Sequence, residues 1–310
     1  MPLVSVIMNC YNSSKYLREA IDSIYSQTFT DWEIIFYDNL STDESPDIAK
    51  SYDSRLKYFR GTEFLPLGVA RNKAFEKASG NFVSFLDCDD VWMPEHLSSH
   101  LNAFQKDTIV VYGNFLIRDM ASNKEYVPFD PEGEFHSGSI TRHLCKKNFI
   151  WLQSALVKRD AVEKLEYPFD PVMLAEEDFD LMLRLSEIGE FRYIPEPTFI
   201  YRMHEGSWTS LRRHIFAHDA SYLLGKYKVR FQKGMVRDLA RQYLMTVRLD
   251  LSESGFRVFP FLRLGFNLRQ IGISLLFLLF PGKNIWALKA KLRKPLKILN
   301  SFLSLFRKGK

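Results

Sequence analysis

The chain has 310 residues, 46% of them hydrophobic and 25% charged; it can hold one large domain or a domain with an appendage, and this composition excludes disorder over most of its length. Its net charge of +5 conceals an asymmetry: residues 1–210 carry 21 Lys+Arg against 33 Asp+Glu (net −12), and residues 211–310 carry 21 against 4 (net +17). Such a split predicts an acidic body with a basic arm that meets an anionic surface. Cys10, Cys88 and Cys145 are too widely spaced for a disulfide framework or a zinc pattern, which fits a reducing, cytoplasmic setting.

The chain opens on a strand over residues 3–9, with neither the basic nor the apolar region of a secretory signal. A helix is predicted over 15–27, with Tyr16, Ala20, Ile24 and Gln27 near helical spacing and Ser13 or Ser14 as its N-cap. A second strand (32–37) ends in the polar loop 38–43. A short helix (45–51) follows with Pro46 in its first turn, then a third strand (56–59). The helix predicted over 69–78 is closed by Ser79-Gly80, and a fourth strand (82–86) runs into Asp87-Cys88-Asp89-Asp90.

Beyond the acidic cluster the pattern predicts a helix over 94–104, a strand over 109–112 and an irregular excursion over 119–148. A strand (155–157), two helices (159–165 and 178–188) and a strand (191–194) follow. Strands alternating with helices argue for an α/β fold, a mostly parallel sheet with helices on both faces. The charge shift near residue 211 divides the chain into a body, 1–210, and a helical, basic appendage, 211–310.

The acidic cluster closes a strand, where open α/β sheets bind ligands, and its hard oxygen donors suit Mg²⁺ or Mn²⁺ completed by substrate phosphates. A solvated acidic turn is the alternative. Asn9, Tyr11 and Asn12 follow the first strand: the ring could stack on a base and the amides read its edge, or the segment is an ordinary turn. Asp38-Asn39 offers base- or ribose-binding groups or a capping loop. Arg71 could fork onto a diphosphate or lie solvated on the surface. Neither a Walker A loop nor a dinucleotide fingerprint is present. Glu176-Glu177-Asp178 could supply a general base or simply complement a helix dipole. His204 could ligate a metal or be structural.

In this order and spacing the segments resemble the family 2 glycosyltransferases, nucleotide-sugar enzymes of the GT-A fold. The matching text is Val4-Ser5-Val6-Ile7 through Tyr11-Asn12, Ser26-Gln27-Thr28-Phe29, Tyr37-Asp38-Asn39 with Ser41-Thr42-Asp43, and Ala70-Arg71-Asn72. It continues with Leu86-Asp87-Cys88-Asp89-Asp90, Glu177-Asp178 and Tyr201-Arg202-Met203-His204. The resemblance implies that Asn9, Tyr11 and Asn39 contact the nucleobase, with Asp38 beside them. It implies that Asp87 faces ribose and metal, that Asp89 is the principal ligand of a divalent Mn or Mg, and that His204 supports the metal–diphosphate end with Arg202 nearby. Asp178 is implied as catalytic base, with Glu177 as second choice. The implied activity is inverting transfer from a nucleoside-diphosphate sugar, UDP-linked, to a hydroxyl of a glycan or lipid-linked saccharide. Where the family often reads Asp-Asp-Gly-Ser, this chain reads Asp38-Asn39-Leu40-Ser41, which loosens the identity of the base.

The excursion 119–148 and residues 149–154 are expected to border the acceptor, with Trp151 stacking on an acceptor sugar or packing in the core, and Trp208 is expected to close over the donor or pack on the body. In the arm, Ile285, Leu288, Leu292, Leu296, Leu299, Leu303 and Phe306 recur at steps of three and four, with Lys294 and Lys297 mostly opposite. Pro295 should kink such a helix. A basic amphipathic helix can lie in a membrane interface, each nearby Lys or Arg adding about 1 kcal/mol on anionic lipid; packing on the acidic body and an oligomer contact are the alternatives. The apolar run 275–280 is too short to span a bilayer. The expected location is therefore the inner face of a membrane, held peripherally, with no nucleic-acid partner. The competing readings are a non-catalytic protein retaining the fold and a sugar nucleotidyltransferase, the latter disfavoured because no glycine-rich basic loop follows the first strand.

Overall fold

The computed structural model describes residues 1–128, 136–206 and 215–246. The chain divides into two compact units, Met1–Leu211 and Arg212–Lys310.

The first unit is built on a nine-stranded sheet. Its strands are β1 (Val4–Cys10), β2 (Trp32–Asp38), β3 (Leu56–Arg60), β4 (Phe82–Phe85), β5 (Val91–Trp92), β6 (Thr108–Asp119), β7 (Lys124–Tyr126), β8 (Ala155–Lys158) and β9 (Glu190–Met203). The order is β3-β2-β1-β4-β8-β6-β9-β5, with β7 on β6. The first four strands pair in parallel, as do β6 and β9. The predicted parallel pairing thus holds for the N-terminal half. β8 enters antiparallel between β4 and β6, and β5 and β7 also pair antiparallel. The helices of this unit are α1 (Ser14–Tyr25), α2 (Ser45–Lys50), α3 (Leu67–Phe75), α4 (His96–Ala103), α5 (Thr141–Lys146), α6 (Arg159–Glu163) and α7 (Glu177–Ser186).

The core follows from the apolar pattern. β1 and β2 are buried almost throughout, as central strands covered on both faces should be. Leu17, Ala20, Ile21 and Ile24 form the apolar stripe of α1 and pack on the cluster of Val4, Val6, Met8, Ile34 and Phe36. Gly80 is required where the chain crosses beside β1: a Cβ there would lie 2.6 Å from the Ser5 nitrogen. The cap of α1 is not its own serine. Ser13 makes no side-chain cap bond, and the Ser14 N–H donates to Asp43 Oδ2 at 2.9 Å. A loop 29 residues away supplies the anion that the helix N-terminus favours.

β6 and β9 run to 12 and 14 residues, not the predicted four each. β9 passes through both Pro195 and Pro197. The β6–β9 register shifts around Asn114, which pairs with Pro197, and such an irregularity tolerates the missing N–H. The excursion 119–148 contains β7 and α5 among its described residues.

The second unit contains α8 (Ile215–Tyr227) and α9 (Lys233–Thr246). Ala220, Leu223, Leu224 and Tyr227 of α8, and Val236, Leu239, Ala240 and Tyr243 of α9, are buried at helical spacing. No helix among the described residues is long and apolar enough to cross a membrane. The predicted basic amphipathic helix and Trp208 lie outside the described residues.

Candidate active site

The acidic loop leaves the C-terminal end of β4, where parallel strands open their crevice. Ligand oxygens of Asp87, Asp89 and Asp90 lie within 4.8 Å of one another. Asp87 and Asp89 are one-third exposed, at 35% and 33%, whereas Asp90 is buried. Asp90 Oδ1 accepts the Arg202 N–H at 2.9 Å, and its Oδ2 is buried without a hydrogen-bond partner among the described residues. Burial, then the charges of Asp89 and Asp87, push the Asp90 carboxyl well above the usual range. Burial likewise raises Asp87, against the opposing pull of Arg71. His204 Nε2 lies 3.1 Å from Asp89 Oδ2, and its ring packs on Tyr16.

Arg202 does not face the crevice. It is 1% exposed, and its guanidinium donates to the carbonyls of Asp89, Asp90 and Tyr16 and to the Glu19 carboxylate. It also stacks on Tyr16, 4.8 Å from the ring centre. Arg202, expected beside the donor, here braces the acidic loop from within, and every branch of its fork meets a protein oxygen.

Arg71 is likewise held by protein groups and is not the solvated surface residue of the alternative reading. It is buried on α3, donating from Nη1 to Glu177 Oε1 at 2.8 Å and from Nη2 to Asp87 Oδ1 at 3.1 Å. One guanidinium thus joins the acidic loop to the start of α7. The neighbouring Asn72 closes a two-bond ring with the Phe169 backbone, at 2.7 and 2.9 Å. Gly68 lets the helices approach: a Cβ there would lie 3.1 Å from Glu177 Cγ. Ala70-Arg71-Asn72 therefore seats Glu177-Asp178 against the acidic loop. Asp178 is partly exposed, and burial raises its carboxyl above the usual range. Gln153 Nε2 donates to Asp87 Oδ2 from the 3₁₀ turn Leu152–Ser154, a support that sequence reasoning missed. Trp151 packs on Phe115, their ring centres 4.4 Å apart.

At the ends of β1 and β2 the polar side chains are turned on one another. Asp38 is fully buried; its Oδ1 accepts the Ser41 N–H, and its Oδ2 accepts from Tyr58 and Arg60 at 2.6 Å. Asn39 clamps the Leu65 backbone, donating to its carbonyl at 2.8 Å and accepting its N–H at 3.0 Å. These bonds shape the loop and occupy the groups expected to meet the base. Asn12 Oδ1 accepts the Thr42 N–H at 2.8 Å, stapling the two loops together. Leu40 has φ 69°, the left-handed turn that glycine takes in the usual motif. Asn9 is partly buried, its Nδ2 without a partner among the described residues. Tyr11 projects outward, 50% exposed.

The donor set fits a hard divalent cation. Three crowded carboxylates include one buried oxygen without a partner, and an imidazole stands beside them. The carboxyls raised by burial and mutual repulsion are those a cation would relieve.

The family model described as "Glycosyl transferase family 2" matches residues 5–165. WfaP of Escherichia coli, a UDP-Glc:alpha-D-GlcNAc-diphosphoundecaprenol beta-1,3-glucosyltransferase, is 29% identical over 213 residues, covering 67% of this chain and 80% of WfaP. Among solved structures, TarS 1–349 of S. aureus in complex with UDP-GlcNAc superposes with a TM-score of 0.61 at 18% identity, covering 87% of this chain and 77% of that one. The mannosyltransferase PcManGT of Pyrobaculum calidifontis, in complex with GDP-Man and Mn2+, gives 0.59 at 16% identity, covering 99% and 88%. The sheet and its helices match those of GT-A glycosyltransferases.

Proposed function

The chain belongs to glycosyl transferase family 2 and is a glycosyltransferase, and on that premise we propose that it transfers a sugar from a UDP-linked donor to a hydroxyl of a lipid-linked saccharide, with inversion. The observation that carries this reading is the Arg71 bridge, which holds the one-third-exposed Asp87 beside the crevice and ties it to the start of α7, where Glu177 precedes Asp178.

Asp178 takes the proton of the acceptor hydroxyl as its oxygen attacks the anomeric carbon. The nucleoside diphosphate departs from the opposite face, so one displacement inverts the centre with no covalent sugar–enzyme intermediate. A raised carboxyl is a better proton acceptor than an ordinary one. Glu177 is held against Arg71 and serves to position the base, which narrows the choice to Asp178. Asp87, Asp89 and Asp90, with His204, would hold a divalent cation, which when bound neutralises charge developing on the leaving diphosphate. Arg202 and Gln153 keep the acidic loop in place for it.

WfaP supports the donor and acceptor classes, because its name specifies a UDP-sugar and a diphosphoundecaprenol-linked acceptor. The excess of basic residues beyond 211 would bring the chain to the anionic surface where such an acceptor lies. Full-length protein should then co-sediment with anionic vesicles and not with zwitterionic ones; equal recovery from both would remove the membrane part of the reading.

A thermal-shift series with UDP-, GDP- and dTDP-sugars, each with and without Mn²⁺, tests the donor. A rise specific to UDP-sugars, dependent on the cation and lost in Asp89→Ala, is expected. No rise with any nucleotide sugar would overturn the reading.

A further inference from the structure

Two rings stand at the rim of the crevice on the nucleotide side. Tyr11 is 50% exposed in the turn after β1, and Phe64 is 52% exposed in the loop between β3 and α3. Their centroids are 4.8 Å apart and their planes 67° apart, an edge-to-face pair. An isolated exposed phenylalanine needs no explanation. This one is paired, and its loop is held from both ends. The Gly61 N–H donates to the Asp38 carbonyl at 2.8 Å, and the Leu65 backbone is clamped twice by Asn39. The Tyr11 turn is held equally firmly, because the neighbouring Asn12 N–H donates to Ser41 Oγ at 3.0 Å. Fixed backbones thus present two half-solvated rings, while the polar groups around them bond to one another.

We propose that Phe64 is the second aromatic surface of the nucleobase subsite: the base of the donor stacks on the Phe64 face, and the Tyr11 ring, set at 67° to it, lies along the base's edge. This deepens the nucleotide-donor reading and rests on it. The chemistry selects a flat π-system, since Asp38 and Asn39 have their side-chain oxygens and amide engaged by the protein. Asn39 then serves the base indirectly, by seating Leu65 and with it Phe64.

The test is calorimetric titration of full-length protein with UDP and, separately, with inorganic pyrophosphate, each with Mn²⁺. Phe64→Ala should weaken UDP by about five- to 150-fold, the range for losing one stacked base contact. Phe64→Trp should stay within about threefold of wild type, since any aromatic face serves. Pyrophosphate, having no base, should bind all three proteins alike. Phe64→Ala and Asn39→Ala should be less than additive on UDP, since both act through one loop. If Phe64→Ala leaves UDP affinity within twofold, or weakens pyrophosphate equally, the stacking role is wrong while the donor reading survives. If wild type does not bind UDP, both fall together. Because Phe64 is half exposed, the alanine variant should melt within a few degrees of wild type.

Discussion

The two sides of the crevice are built on opposite principles. On the nucleotide side, Asp38, Asn39, Asn12, Ser41 and Asp43 satisfy one another and the backbone, leaving two rings toward solvent. On the acidic side, carboxylates are crowded and partly buried, and their protonation is shifted upward. The first side is rigid through satisfied hydrogen bonds. The second holds unrelieved repulsion that a cation or a proton can discharge. On the proposed reading, recognition by shape and chemistry by charge fall to different loops of one sheet edge.

The largest effect should come from the acidic side. Asp178→Asn keeps the volume and removes the base, so turnover should fall by about 100- to 10,000-fold with little change in melting temperature. Near-normal turnover in a folded variant would assign the base elsewhere.

Arg71→Met should separate bracing from chemistry. It leaves Glu177 buried and Asp87 half-buried without their shared cation, a loss of about 3–5 kcal/mol, or on the order of 10 °C in melting temperature. A variant as stable as wild type that loses only donor affinity would restore the diphosphate role.

Acid should weaken the same side through His100, whose ring nitrogens lie 2.6 and 2.8 Å from the His96 and Ser154 carbonyls, under the turn that carries Gln153. Burial lowers His100 to about 4. Above the unfolded value near 6.5 both states are neutral. As pH falls from there toward 4, the unfolded chain binds a proton that the folded one refuses, so stability drops. The loss should be on the order of 3 kcal/mol, read from denaturant midpoints between pH 7 and 4 and flattened in His100→Gln. A midpoint unchanged over that range would show the ring charged in the fold.

The smallest effect belongs to the nucleotide side. Leu40→Gly relieves a left-handed residue but loosens the unfolded chain, so stability should change by less than about 1 kcal/mol. A large loss would mean that the leucine side chain, not its backbone, shapes the loop.

Much of the fold was legible locally. β1 to β4 and α1 to α3 follow from apolar periodicity and turn residues, and the order of short acidic and polar segments indicated the family. β6 and β9 were under-read: β9 runs through Pro195 and Pro197, which a shifted register tolerates, and β6 runs on past Gly113 beside it. The short β5 has no periodicity to detect.

What the sequence determined by itself was which groups gather at one sheet edge, because strand polarity in a parallel α/β unit sends every β-to-α loop there. What only the tertiary structure decided was which partners each group meets. Arg71 and Arg202 read as cations for a diphosphate, and Asn39 as a reader of bases. Each lies within reach of protein oxygens or backbone far along the chain, and a partner 16 to 186 residues away leaves no trace in local spacing. Phe64 carried no signal at all until the Asn39 clamp set it beside Tyr11.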